Sequence, residues 1–198
     1  MAMGLSFLFK RVFSAVWIIA FATTIYADEL DVYIETSTGQ TEFCVGASIS
    51  MVARDFFETE SITGHKWESP DGDKYLESRD HFAVFRPSEP GRYKIIYTAT
   101  DENGNQSRAE IQLDISELPL ADVEKSRGFF TRIRGKSFPV VLTASENDSK
   151  NQYQWFKDNQ VIENADSHRI KVEERGRYRL MVTSSEGCRG YSTAFFIE

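Results

Sequence analysis

Two cysteines and three histidines are the only thiol and imidazole metal ligands in this chain of 198 residues. His65, His81 and His168 stand far apart, and none has a Cys or His partner at the spacing of a zinc site. The serines lack the strand–turn–helix context of a nucleophile elbow, and no His and acid are placed to complete a triad. Long apolar runs are scarce as well. The only one, "VFSAVWIIAFATTIYA" from Val12 to Ala27, has 16 residues, short of the roughly 20 that a membrane span needs. Missing, finally, is any long stretch with apolar residues at helical spacing, which excludes a helical bundle or an α/β fold.

The apolar run follows Lys10 and Arg11, so residues 1–27 read as an export signal with Ala27 before the cleavage point. Ile25 is not the small residue preferred two positions earlier, and an uncleaved N-terminal anchor is the alternative. No Cys closely follows the run, which argues against a lipid anchor. Charge is unevenly spread over the remainder. Residues 28–117 carry 19 acidic and 8 basic side chains, whereas residues 118–198 carry 11 acidic and 13 basic. The first half repels nucleic acid and anionic lipid. The imbalance reads either as solvated surface or as a device for head-to-tail contact between halves or between molecules.

What is abundant is strand pattern. "ISMVA" from Ile49, "YKIIYTA" from Tyr93, "AEIQLDI" from Ala109, "FPVVLTA" from Phe138, "YRLMVT" from Tyr178 and "STAFFI" from Ser192 alternate with period two and are bounded by Gly, Pro, Asn and Asp. Strands every 8–12 residues, broken by turn residues, predict an all-β sandwich architecture. The plan is written twice. Gly46 matches Gly135, Trp67 matches Trp155, the Gly-Arg-Tyr at 91–93 matches that at 176–178, and Gly104 matches Gly187, at offsets of 89, 88, 85 and 83. The predicted organisation is a signal at 1–27, a sandwich at 28–116, a linker at 117–128 and a second sandwich at 129–198. The connector "SELPLADVEKSRG" is short and of mixed composition, so limited hinge motion is expected.

Residues 152–183 resemble an immunoglobulin-like domain, with Trp155 as the strand-C Trp and Tyr178 as the tyrosine corner. Residues 88–115 are similar to the polycystic-kidney-disease (PKD) module and related bacterial Ig-like modules, with Tyr93 at the start of strand F. The resemblance implies two tandem antiparallel β-sandwiches with Trp67, Tyr93, Trp155 and Tyr178 in the cores. In antibody domains a Cys lies two residues after the corner Tyr; here Ile95 and Leu180 stand there, so no intersheet disulfide is implied. The topology of such a pair puts the A–B turn of the first module and the F–G loop of the second at the same junction. Cys44 and Cys188 then pair between modules; two free thiols, or pairing between molecules, are the rival readings.

The remaining candidates have ordinary readings beside them. Asp71, Asp73, Asp101 and Asn103 offer oxygen ligands for Ca²⁺ if loops of one pole bring them together, but Asp-Gly and Asn-Gly are also common turn residues. Phe56, Phe57 and Tyr75 are candidates for an exposed binding patch or for the core. "RGFFTRIRGK" from Arg127 reads as a polyanion patch or as a strand with its basic residues toward water. Asn105 and Asn147 fit the N-glycosylation pattern. The sequence therefore predicts an exported, non-enzymatic binding or adhesion module, secreted, periplasmic or at the cell surface. No cofactor, catalytic residue, nucleic acid partner or membrane span in the mature chain is expected, and the partner is a protein or glycan of the cell envelope. The alternatives are a structural or accessory subunit of an envelope assembly and a carbohydrate-binding accessory.

Overall fold

A computed structural model describes residues 32–55, 62–127 and 138–198. The N-terminal segment read as a signal, the patch candidates Phe56 and Phe57, and most of the basic 127–136 stretch lie outside the described residues.

The first module contains β1 (Val32–Thr36), β2 (Glu42–Cys44), β3 (Ile49–Asp55), β4 (Ile62–Glu68), β5 (Leu76–Arg79), β6 (Phe82–Phe85), β7 (Gly91–Asp101) and β8 (Gln106–Ser116). One sheet runs β1-β3-β6-β5 and the other β2-β8-β7-β4. In sandwich lettering these are strands A, B, E, D against A′, G, F, C, the arrangement of an immunoglobulin-like domain. All pairings are antiparallel except β2 with β8, where the first strand changes sheet. Strand formation follows from alternation. Along β7, Tyr93, Ile95, Tyr97, Ala99 and Asp101 are buried, and in β8 Ala109, Leu113 and Ile115 answer them across the same face. Those residues, with Ile49, Met51, Trp67 and Phe85, form one core.

The second module repeats the plan with β9 (Val123–Arg127), β10 (Val140–Ala144), β11 (Gln152–Lys157), β12 (Gln160–Val161), β13 (Arg169–Val172), β14 (Gly176–Thr183), β15 (Arg189–Tyr191) and β16 (Phe195–Ile197). Its sheets are β9-β10-β13 and β12-β11-β14, with β15 and β16 both pairing with β14. Ser192 splits the last strand. Its hydroxyl accepts the Leu180 N–H at 2.9 Å, and its own N–H donates to the Leu180 carbonyl. A second, separate core holds Trp155, Leu142, Leu180 and Val182.

The two halves match in detail. Trp67 Nε1 donates to the Asp80 carbonyl and Trp155 Nε1 to the Ser167 carbonyl, each at 2.9 Å. Both indoles are buried, at 8% and 0% exposure. Tyr93 donates its hydroxyl to the Glu89 carbonyl at 3.1 Å and Tyr178 to the Glu174 carbonyl at 3.0 Å. These are two tyrosine corners of one design. Gly91 and Gly176 precede them with φ of 153° and 159°, a backbone that side chains with a Cβ rarely adopt.

One boundary differs from the sequence expectation. The linker predicted at 117–128 is confined to residues 117–120. Ala121 is buried in the second core, Ser145 N donates to the Asp122 carbonyl, and β9 pairs with β10 from Val123 to Arg127. "VEKSR" reads as a connector because, after Val123, every residue of this edge strand is exposed.

Candidate functional site

The junction between modules is the most constrained place outside the cores. Cys44 ends β2, in register with Ser116, the last residue of β8, and so lies where the chain leaves module one. Cys188 lies in the turn between β14 and β15. Their sulfurs are bonded at 2.06 Å with Cα atoms 5.6 Å apart, inside the window for a disulfide, across a sequence separation of 144.

The repeat explains why the cysteine occupies this position in only one copy. In module one Asp101 N donates to the Asn105 carbonyl and Gly104 N to the Asp101 carbonyl; in module two Ser184 N donates to the Cys188 carbonyl and Gly187 N to the Ser184 carbonyl. The turns are equivalent, and Cys188 takes the place of Asn105. Module one closes its turn from within. The buried Asp101 carboxylate accepts the Asn103 and Asn105 backbone N–H groups and the Asn105 side-chain amide, each at 2.8 Å. Module two lacks that acid and instead ties the turn to its neighbour.

The linker adds a second contact. A Cβ on Gly190 would sit 1.9 Å from the Pro119 carbonyl oxygen, so the chain at Pro119 lies directly on the Gly190 backbone. Only glycine allows that approach. Disulfide and linker therefore hold module two on module one at two points.

The calcium candidates do not meet. Ile62 pairs with Asp101 at one end of the β4–β7 ladder. Asp71 and Asp73 flank Gly72, where an added Cβ would meet the Tyr93 ring at 2.8 Å and Phe85 at 3.1 Å, near the other end. Eight residues of β7 separate Asp101 from Tyr93, about 27 Å at 3.4 Å per residue. Asp73 caps its own turn by accepting the Ser69 N–H. The one-pole expectation fails because the two turns follow strands that run in opposite directions. Among the described residues no group of three or more His, Cys, Asp or Glu side chains is arranged to hold a metal ion. Tyr75 is half-buried rather than presented as a patch. Its ring packs edge-on against Phe85 and Tyr93 at 5.9 Å each, and its hydroxyl accepts from Ser88.

Two histidines that the sequence leaves scattered do come together. His65 and Trp67 lie on the same face of β4. The Trp67 bond to Asp80 draws the β5–β6 turn over the edge of β4 and sets His81 6.2 Å from His65, centroid to centroid. Ala53 N holds the turn through the His81 carbonyl, and His65 Nδ1 shares a 2.6 Å hydrogen bond with the Tyr97 hydroxyl. These rings, with Tyr33, Arg54 and the exposed Phe82, line a cleft of about 430 Å³. The third histidine packs separately beside Tyr153.

No protein-family model matches the chain, and no curated protein does. Among solved structures it is similar to murine CEACAM1b (12% identity over 85% of this chain and 99% of that one, TM-score 0.39). It is also similar to fibronectin(III)-like modules of Clostridium thermocellum CbhA (14% identity over 82% and 90%, TM-score 0.42). A third is the C-terminal 282-residue fragment of intimin in complex with the intimin-binding domain of the translocated intimin receptor (13% identity over 84% and 62%, TM-score 0.45). At these TM-scores the fold assignment rests on the chain's own strand order, which is that of tandem immunoglobulin-like domains.

Proposed function

We propose that the protein is an exported, non-enzymatic binding or adhesion module whose two sandwiches present their surfaces as one unit at the cell envelope. The observation that carries this reading is the Cys44–Cys188 bond between modules. A disulfide persists in an oxidising compartment, which fits export. Each module has its own core, so the bond is not required to make either fold. Its effect falls on the relation between them, which matters to a molecule that works by presenting surfaces at a set spacing. The test is fractionation of native cells followed by non-reducing peptide mapping. A Cys44–Cys188 peptide from the extracytoplasmic fraction supports the reading. Two alkylatable thiols in the protein as isolated would overturn it.

A second reading, a carbohydrate-binding accessory, is favoured by the cleft at His65, His81, Phe82, Tyr33 and Arg54. Exposed aromatic faces beside hydrogen-bonding groups suit a sugar ring. Titration with oligosaccharides from the organism's own envelope, followed by NMR, checks it. The shifts should centre on Phe82 and His81 and vanish in Phe82→Ala.

A further inference from the structure

We propose that the outer face of the β12–β11–β14 sheet, with β15 and β16, docks the acidic first module of a second copy of this chain. The proposal stands on surface composition and does not depend on the binding reading above.

Strand register defines the face. Arg177 pairs with Phe196, Phe156 with Arg179 and Val161, Met181 with Tyr191, and Thr183 with Arg189. Paired residues share a side of the sheet, opposite to the one that buries Trp155, Leu180 and Val182. Among the described residues, these pairs place three arginines and neither a carboxylate nor a lysine on the outer side; Lys125 and Glu198 lie at its margin, beside Phe196. It also exposes Val161, Tyr191 and Phe196 at 57%, 48% and 67% with both modules present, so module one of the same chain does not cover them. Depletion of Lys, Asp and Glu with enrichment of Arg, Met and aromatics is the composition of the central part of a protein interface, not of ordinary solvated surface.

The other copy of the fold supplies the internal control. On the equivalent sheet of module one, the outward residues neutralise one another in four ion pairs: Lys66–Glu68, Arg92–Asp114, Lys94–Glu110 and Arg108–Glu110. Two faces of one plan thus differ in kind. The one in module two is also partly pre-organised. Arg179 lies over the Tyr191 ring at 4.6 Å and uses one of its five donors to hold the Ser192 carbonyl. That reduces the side-chain entropy lost on docking.

The occupant follows from charge. Residues 28–117 carry 19 acidic against 8 basic side chains, the complement of a face whose paired charged residues are arginines. The disulfide and the Pro119–Gly190 contact keep the chain's own first module off that face, so the contact must come from another molecule. A face of module two on module one of the next molecule is heterologous, so it propagates as a row or closes as a ring, a reciprocal pair included. The patch is about 400 Å² from four strands at 4.8 Å spacing and six residues of rise, half of what each partner buries in a standard complex, so the contact is weak.

Sedimentation of the oxidised protein at submillimolar concentration tests this. In about 0.1 M salt, where the Debye length is near 10 Å, the weight-average mass should rise with concentration above that of the monomer. In about 1 M salt it should fall to the monomer. Arg177→Glu with Arg189→Glu, which leaves the Arg179 bond to Ser192 intact, should weaken association at least tenfold with an unchanged melting temperature. Mixed in equal amount with the unmodified protein, that variant should shorten the assemblies, because its intact first module still occupies an unmodified face and ends the row. Monomer under all conditions overturns the proposal. So does association that the double variant shows undiminished, and so does retention on a sulfated polysaccharide without any self-association.

Discussion

Tyr93 and Tyr178 each reach back four residues to a backbone carbonyl, and burial holds both phenols in the neutral form, raising their pKa above the usual tyrosine range. The consequence for stability has a definite sign. An acid whose folded pKa is raised contributes fully below its unfolded value, near pH 10, and that contribution is lost as pH rises from there through the folded value. Denaturant melts should therefore be flat in this respect up to about pH 9 and weaken above pH 10. Tyr93→Phe and Tyr178→Phe should each lower stability by about 1 kcal/mol at neutral pH, for one hydrogen bond, and each should reduce the alkaline loss. An alkaline slope that persists unchanged in the double variant would place its origin elsewhere. Gly190 is the other residue with a single possible identity. Gly190→Ala drives a methyl group into the Pro119 carbonyl, backbone against backbone, with no flexible side chain to give way. A loss of about 3 kcal/mol, or a displaced linker, is expected from calorimetry of the purified variant.

Turns and strands show which parts of this molecule can be read in advance. Strands with one buried face are legible: β7, β8 and β14 alternate over 8 to 11 residues, and the repeated Gly-Arg-Tyr marks both tyrosine corners. The pairing partner of Cys44 becomes legible only through sandwich topology, since nothing local to either cysteine points to the other. β9 is not legible, because an edge strand with four exposed residues after Val123 has the composition of a linker. The His65–His81 cleft is hidden for a different reason: two residues 16 apart in sequence meet only because a tryptophan between them bonds a turn carbonyl. The oxygen-rich turns mislead in the opposite direction. Asp101 has the look of a cation ligand, yet its carboxylate is spent on three N–H donors of its own turn. Asp101→Ala should therefore cost about 1–2 kcal/mol by taking the charged acceptor from the part-buried Asn103 and Asn105 donors. The melting temperature of the unmodified protein should be the same in calcium and in chelator. A calcium-dependent rise that disappears in Asp101→Ala would restore the metal reading.

At the scale of the whole molecule, two independently cored sandwiches are joined by four linker residues, one disulfide and one backbone contact. The chain-entropy description assigns a closure of this length about 5 kcal/mol, but only relative to a state in which the entire span between Cys44 and Cys188 is unfolded. With either module still folded, most of that span is already ordered and the entropic effect shrinks. Cys44→Ser with Cys188→Ser should therefore leave each module folded, with Trp155 and Trp67 still protected from solvent, and separate the melting of the two modules into distinct transitions. The larger change should be geometric. Without the bond, Ser116 and the Cys188 turn are held together only through the short linker lying on Gly190, and the angle between modules should broaden. Small-angle scattering of the oxidised protein should give a single narrow distance distribution, and that of the double-serine variant a broader one with unchanged module dimensions. Identical scattering from the two would mean that the linker alone sets the angle. The disulfide would then contribute to durability but not to the presentation of surfaces on which the binding reading depends.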